Sequence, residues 1–181
     1  MFAVMSDQPS TVAVQLHGPD TAMGLAEQVW PCYQQVFGDF DDVGRWRDDM
    51  FDRHVGRDGY RLAVAMDGTT LVGFSWGYVG QRGQYWTDAV CRALPASVTD
   101  EWVGGHFEFV ELGVEPSCRR QGLGLRLHDT LLAGVSRKCL LSTADDSHDP
   151  AVRLYLSCGW RKLGLLRPGV QVMGRSDQHN H

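Results

Sequence analysis

The sequence predicts a mixed α/β domain of the α+β kind, with one largely antiparallel sheet of about seven strands and about four helices set against it. Three observations lead there. Short apolar runs, several of them alternating, recur between clusters of turn residues, the signature of strands. Longer stretches carry apolar residues at three- or four-residue spacing, the signature of helices with one buried face. The resulting order, β-α-α-β-β-β-α-β-α-β-β, brings strands together as neighbours in the middle and at the end of the chain.

Each element has its own warrant. Thr11 to His17 (TVAVQLH) alternates and reads as the first strand. Asp20-Thr21 can cap a helix reaching about Phe37, with Leu25, Val29, Tyr33 and Val36 on one face and Pro31 as a point of bending. After the acidic loop GDFDD (38–42), Asp42 is placed to cap a second helix carrying Val43, Trp46, Met50 and Phe51. RLAVAMDGTTLVGFSWGYV reads as two strands around Asp67-Gly68, a hairpin signal. Residues 84–94 suit a short helix, followed by a loop to Trp102 within a long 80–105 segment. FEFVELGV (107–114) is the strongest strand pattern in the chain. Leu123, Leu127, Leu131 and Val135 predict a helix from Gly122 to Arg137, followed by a strand from Cys139 to Ala144. Asp149 as cap, Pro150 at the first position and Gly159 at the end frame the next helix. Trp160–Leu166 and Val170–Met173 form the final strand pair.

With 181 residues, the chain suits one domain over residues 11–174, with flexible ends at 1–10 and 175–181. A net charge of −5 argues against a general nucleic-acid binder, which needs a basic face to neutralise phosphates. Cys32, Cys91, Cys118, Cys139 and Cys158 are scattered without CxxC spacing, which predicts reduced thiols rather than a disulfide frame or a metal site. The first residues, MFAVMSDQPS, show no export signal, and no apolar run reaches the ~20 residues that span a bilayer. These features predict a cytoplasmic protein with no membrane partner.

The motif that carries chemistry is RRQGLG (119–124), placed between the 107–114 strand and the following helix. A strand that breaks at Glu115-Pro116 and restarts as a helix leaves a turn with unpaired backbone N–H groups. Those donors, the positive helix end and Arg119 and Arg120 together suit a pyrophosphate. A dinucleotide fingerprint would need a third glycine where Leu127 stands, and a P-loop would need GK[ST]. VEPSCRRQGLGLRL instead resembles the V-x-P-x-x-[RQ]-x-x-G-x-[GA] signature of the GNAT superfamily of acyl-CoA-dependent N-acyltransferases. DPAVRLYLSCGW (149–160) resembles that superfamily's second signature, A-x-x-L-Y-x-x-x-G-[FW], in the expected order and at about the expected distance.

The resemblance implies acetyl-CoA as the cofactor. The turn formed by Arg119, Arg120, Gln121, Gly122, Leu123 and Gly124 would wrap its pyrophosphate with main-chain donors. The backbone at Leu112 and Val114 would pair with the pantetheine arm as an added strand. The thioester would lie where the fourth strand, ending near Val114, splays from the fifth, beginning near Cys139. His148 stands where many members carry Asn, so that one contact to the cofactor is altered. The resemblance also gives Tyr155 the place of a tyrosine whose hydroxyl reaches the cofactor sulfur.

Acylating an amine requires removing its proton, and the central strand offers two carboxylates for that task, Glu108 and Glu111. Simple alternation sets Glu108 with Val110, Leu112 and Val114, and Glu111 with Phe107 and Phe109. Glu108 also matches, by its distance from Arg119, a general-base glutamate of several family branches. A bulge would swap the faces and bring Glu111 or His106 forward. Cys118 and Cys139 raise a covalent route, but direct transfer in a ternary complex is the expected one. On the acceptor side, Asp39, Trp86 and Asp88 pair acid with aromatic character and suit a cationic amine. The predicted function is acetyl transfer from acetyl-CoA to a primary amine of a small molecule, by a monomer or homodimer. Alternatives are acetylation of protein N-termini or lysines, and a non-catalytic acyl-CoA sensor.

Overall fold

The computed structural model describes residues 12–176. Thr11, expected to open the first strand, and the expected tail 1–10 lie outside them, as do residues 177–181 of the expected tail 175–181, whose first residue, Arg175, instead ends the last strand. The elements run β1 (Ala13–His17), α1 (Pro19–Val36), α2 (Val43–Trp46), a π-helical turn (Arg47–Phe51), α3 (Asp52–Val55), β2 (Arg61–Asp67) and β3 (Thr70–Gly80). There follow α4 (Tyr85–Ala93), α5 (Ala96–Trp102), β4 (His106–Val114), a 3-10 turn (Pro116–Cys118), α6 (Leu123–Leu132), β5 (Cys139–Ala144), α7 (Pro150–Ser157), β6 (Arg161–Arg167) and β7 (Val170–Arg175). The seven strands form one sheet in the order β1-β2-β3-β4-β5-β7-β6, antiparallel throughout except where β4 meets β5.

That parallel pairing is brief. β4 and β5 are in register only at Phe107–Cys139 and Glu108–Leu140, after which the strands diverge. The residues of β4 from Phe109 onward and of β5 from Leu141 onward therefore border an opening at the centre of the sheet.

The two faces of the sheet hold different cores. On one face α1 and the α2–α3 helix bury Tyr33, Trp46 and Phe51 against Phe74 and Trp76. Phe51 follows Trp46 by five positions, and the π turn there keeps both rings on the buried face. On the other face α6 and α7 bury Leu127, Leu131 and Tyr155 against Phe107, Phe109 and Leu141. Asp42 and Asp149 cap their helices as the sequence predicts, accepting from Arg45 N–H and from Ala151 and Val152 N–H.

Three expectations are corrected. α1 starts at Pro19, with Gly18 rather than Asp20 at its cap, because Pro19 has no N–H to satisfy and a preset φ. α6 stops at Leu132, five residues short of Arg137, where the chain turns through Gly134 at φ 74°. The 80–105 segment, expected to hold one helix and a loop, folds as two helices. Leu94 and Trp102 anchor them over Leu140 and Val172, so burial outweighs the weak local pattern.

Candidate active site

A single extra residue in β4 decides where its carboxylates point. Trp76 of β3 pairs with Glu111 and Gly77 pairs with Phe109, leaving Val110 as the additional residue of a bulge. Glu108, opposite Tyr78, and Glu111, opposite Trp76, therefore share one face of the sheet. Phe107, Phe109, Leu112 and Val114 pack in the core on the other face. Simple alternation had set Glu108 with Leu112 and Val114 and put Glu111 on the opposite side; the bulge overturns that arrangement. Gly77 permits it, since a Cβ there would collide with the Glu108 carbonyl and the Phe107 ring.

Both carboxylates line a cavity of about 530 Å³. Its floor is Glu108 to Glu111 of β4 with Tyr78 of β3; one wall is Asp49, Met50, Arg53, His54 and Arg57. Gln84, Tyr85 and Trp86 at the start of α4, with Ser142 of β5, close the far side. Ser142 and Phe109–Glu111 all lie past the last β4–β5 pair, so the cavity abuts the opening in the sheet.

The electrostatics of this cavity are unusual. Glu108 is only 4 % exposed, and Tyr78 Oη–H donates to its Oε1 at 3.2 Å. Its Oε2 is buried without a partner among the described residues. Burial pushes its carboxyl up to about 7, against the smaller opposing pull of the Tyr78 hydrogen bond and the Arg57 charge. Glu111 rises to about 8, through desolvation first and the charge of Asp39 second. His54 falls to about 4, through burial and then the Arg57 and Arg53 charges. Because His54 Nδ1 accepts from Trp76 Nε1–H at 3.2 Å, the neutral ring carries its proton on Nε2.

At the turn expected to hold the cofactor the chain presents backbone. Among the described residues no side chain caps the N-terminus of α6, so its first N–H groups remain available. Gly122 holds the cap position at φ 75° and Arg120 lies at φ 63°, a pair of left-handed residues that turn main-chain donors toward one side. Arg119, Arg120, Gln121 and Gly122 are exposed, whereas Leu123 is buried in the core. Arg119 Nε–H donates to the Val114 carbonyl at 3.0 Å, tying the turn to the end of β4. This donor set, with the unpaired stretch of β4 beside it, fits a diphosphate and an extended arm.

The remaining expected residues fall in different places. Tyr155 is buried on α7, with its ring 5.8 Å from Phe109 and edge-on to it. Burial, then the Glu111, Asp149 and Cys158 charges, hold its phenol above the ordinary range, so it stays protonated at neutral pH. Trp86 lines the cavity, and its Nε1–H donates to Ser142 Oγ at 3.0 Å. Asp39 is exposed, lies outside the lining and accepts from Tyr33 Oη–H at 3.3 Å. Asp88 lies outside the lining; it accepts from Gly83 N–H at 2.8 Å and braces that turn. His148 is an exposed turn residue whose N–H donates to Asp146 at 2.8 Å. His106 is buried, accepts from Gly104 N–H and packs its ring 6.2 Å from that of Trp86, outside the cavity lining, so of the two residues it is Glu111 that the bulge brings into the lining.

Sequence reasoning missed Tyr78, His54, Arg53 and Arg57. The two arginines and His54 break the apolar periodicity at the end of the second helical stretch, which was the available signal. Another polar cluster joins His128, Asp129 and Cys158. Trp160 Nε1–H donates to His128 Nε2 at 2.9 Å and His128 Nδ1–H then donates to Asp129 at 2.8 Å, so both ring nitrogens are engaged.

Comparisons with known proteins agree with this architecture. The model of the acetyltransferase (GNAT) family matches residues 23–160. The GCN5-like protein acetyltransferase Rv2170 of Mycobacterium tuberculosis is 31% identical over 109 residues, 56% of this chain and 53% of the relative. The chain thus spans about half the length of that curated relative. An aminoglycoside 6'-acetyltransferase type Ii superposes with a TM-score of 0.62 at 18% identity, over 91% of this chain and 96% of its own. The Thermoplasma acidophilum PaiA N-acetyltransferase, crystallised with coenzyme A, superposes with a TM-score of 0.55 at 12% identity, over 91% of this chain and 99% of its own. Among the described residues no helix is long and apolar enough to cross a membrane.

Proposed function

The chain belongs to the acetyltransferase (GNAT) family, and from that premise we propose that it moves an acetyl group from acetyl-CoA directly to a primary amine of a small molecule. The observation that carries this reading is the β4 bulge, which turns Glu108 and Glu111 into one cavity at the divergence of β4 and β5. The thioester supplies an activated acyl group whose bond to sulfur breaks as a bond to nitrogen forms.

The roles of the side chains follow from their settings. An alkylammonium is protonated at neutral pH and cannot attack a carbonyl. Glu108, with a carboxyl poised at about 7 and a free buried Oε2, accepts that proton. Glu111, at about 8, shares the cavity and the proton load, so the two carboxyls titrate as a pair. Tyr155, kept protonated on the opposite side of β4, is the donor available to the departing sulfur. The turn Arg119–Gly124 and the free edge of β4 at Leu112 and Val114 hold the cofactor in place. The start of α4 sets Trp86 at the wall of a cavity of about 530 Å³, the dimensions of a small-molecule pocket.

A second reading, acetylation of a protein amine, draws support from the name of the Mycobacterium tuberculosis relative. Two measurements separate these possibilities. Thermal unfolding with acetyl-CoA at about 100 times its dissociation constant adds ~2.7 kcal/mol, a melting shift of roughly 5–10 °C for a domain of this size. Thiol release is then followed with panels of small amines and of peptides. Turnover confined to small amines supports the first reading, turnover confined to peptides supports the second, and no melting shift at saturating acetyl-CoA refutes both.

A further inference from the structure

The stretch from α2 to the bend after α3, which walls the cavity, carries four arginines, and they are treated differently. Arg45 lies 3.8 Å from both Asp41 and Asp49, and Arg47 pairs with Asp52 at 3.2 Å and Glu27 at 3.3 Å. Arg53 and Arg57 line the cavity and have no ion-pair partner among the described residues. A cation at a helix C-terminus is favourable in itself, which accounts for basic residues there but not for their facing a cavity unpaired. Arg57 sits over the ring of Tyr78, 5.9 Å from its centroid, and that ring's hydroxyl donates to Glu108. The two arginines and the two carboxylates thus belong to one chamber.

The donors converge further. His54 is neutral and carries its proton on Nε2, so it adds an N–H to the wall that holds Arg53 and Arg57. One side of the cavity carries Arg53, Arg57 and the His54 N–H, with Asp49 on the same wall already 3.8 Å from Arg45; the other carries the Glu108 and Glu111 carboxylates, one with an unpartnered buried oxygen. A simple alkylamine would satisfy only the second side and would leave two arginines facing it. An acceptor with an amine at one end and an anion at the other satisfies both.

We infer that the acceptor is an aminocarboxylate: its amine is held at Glu108 and Glu111, and its carboxylate is held by Arg53 and Arg57. This rests on the acyl-transfer reading of the cavity and narrows its substrate class. Arginine suits the task because its planar donor pairs match a carboxylate, and charge-assisted bonds of this kind are about twice as strong as neutral ones.

The test is thiol release at saturating acetyl-CoA with a panel of α- and ω-aminocarboxylates, each run against its own carboxamide. The native protein is expected to favour the carboxylate member by at least about tenfold in kcat/KM for the best pair. In the Arg53→Gln/Arg57→Gln double variant that preference falls to within about twofold, while Arg53→Lys/Arg57→Lys retains part of it. Thermal unfolding of each variant checks that it folds, and calorimetry of carboxylate and carboxamide binding to the native protein gives the same comparison without turnover. Carboxamides acylated as well as carboxylates, or an undiminished preference in a folded glutamine variant, overturn this inference and leave acyl transfer standing. No acylation of any amine or peptide overturns both.

Discussion

The cofactor turn and the acceptor cavity sit at the two ends of the same strand and are built from opposite materials. The turn after β4 is made of exposed backbone: an uncapped helix start, left-handed Gly122 and Arg120, and one arginine tied to the Val114 carbonyl. The cavity is made of side chains drawn from β3, β4, β5, α4 and the π turn through Arg57, with carboxyls poised at about 7 and about 8. The difference teaches that binding a common cofactor needs only a backbone shape, which is local in sequence. Selecting an acceptor needs charges brought together from distant segments.

Substitutions at the two ends should therefore fail in different ways. Glu108→Gln removes the proposed proton acceptor, and kcat/KM for the amine is expected to fall about 10²–10⁴-fold while acetyl-CoA affinity, measured by calorimetry, stays near native. The same change should stabilise the fold as pH rises. Glu108 holds its proton more tightly in the folded chain (about 7) than its ordinary value of 4.5, so the stability it contributes is complete below about 4.5 and is lost as pH passes 7. A Tm gap between the variant and native protein that widens from pH 5 to pH 8, worth about 3 kcal/mol at the top, checks this.

Gly122→Val tests the other end. A β-branched residue at φ 75° is strained by about 1–2 kcal/mol, and acetyl-CoA should bind about 10-fold more weakly or worse, with amine KM little changed. If amine KM rises instead and the cofactor constant does not, the division between the ends is wrong. Tyr155→Phe lies between them. Removing the proposed proton donor should lower kcat about 10-fold at unchanged cofactor affinity, and a collapsed Tm instead would mark it as a packing residue of the Phe109–Trp160 cluster. Arg119→Ala is expected to do least, because its single bond to the Val114 carbonyl is exposed; a loss in cofactor affinity of about fivefold or less follows.

What the sequence disclosed follows the same division. Gly122, Gly124 and the capping pair Asp149-Pro150 are local signals, and the turn and the start of α7 lie where they were expected. The succession of strands along the chain was equally legible, because hairpins and alternation are read within a few residues. The faces of Glu108 and Glu111 were not, since a bulge is set by pairing with Gly77, some thirty residues away, and one inserted residue reverses every side chain beyond it. The two helices of the 80–105 segment escaped for a related reason: Leu94 and Trp102 are held by contacts with β5 and β7 that no short window contains. Arg53, His54 and Arg57 were visible only as polar interruptions of a helix, with nothing local to say that they face the carboxylates.

The central claim is that Glu108, desolvated beside Glu111 and Tyr78, removes the acceptor's proton. Its most direct test is the pH dependence of kcat/KM between pH 5.5 and 9, in native protein and in Glu108→Gln, using the best amine of the panel. Since only the carboxylate form accepts a proton, native activity is expected to rise through an apparent pKa between about 7 and about 8 and to level above it. In the variant that limb should vanish along with most of the activity. A variant that keeps both the native rate and the native limb would contradict the account.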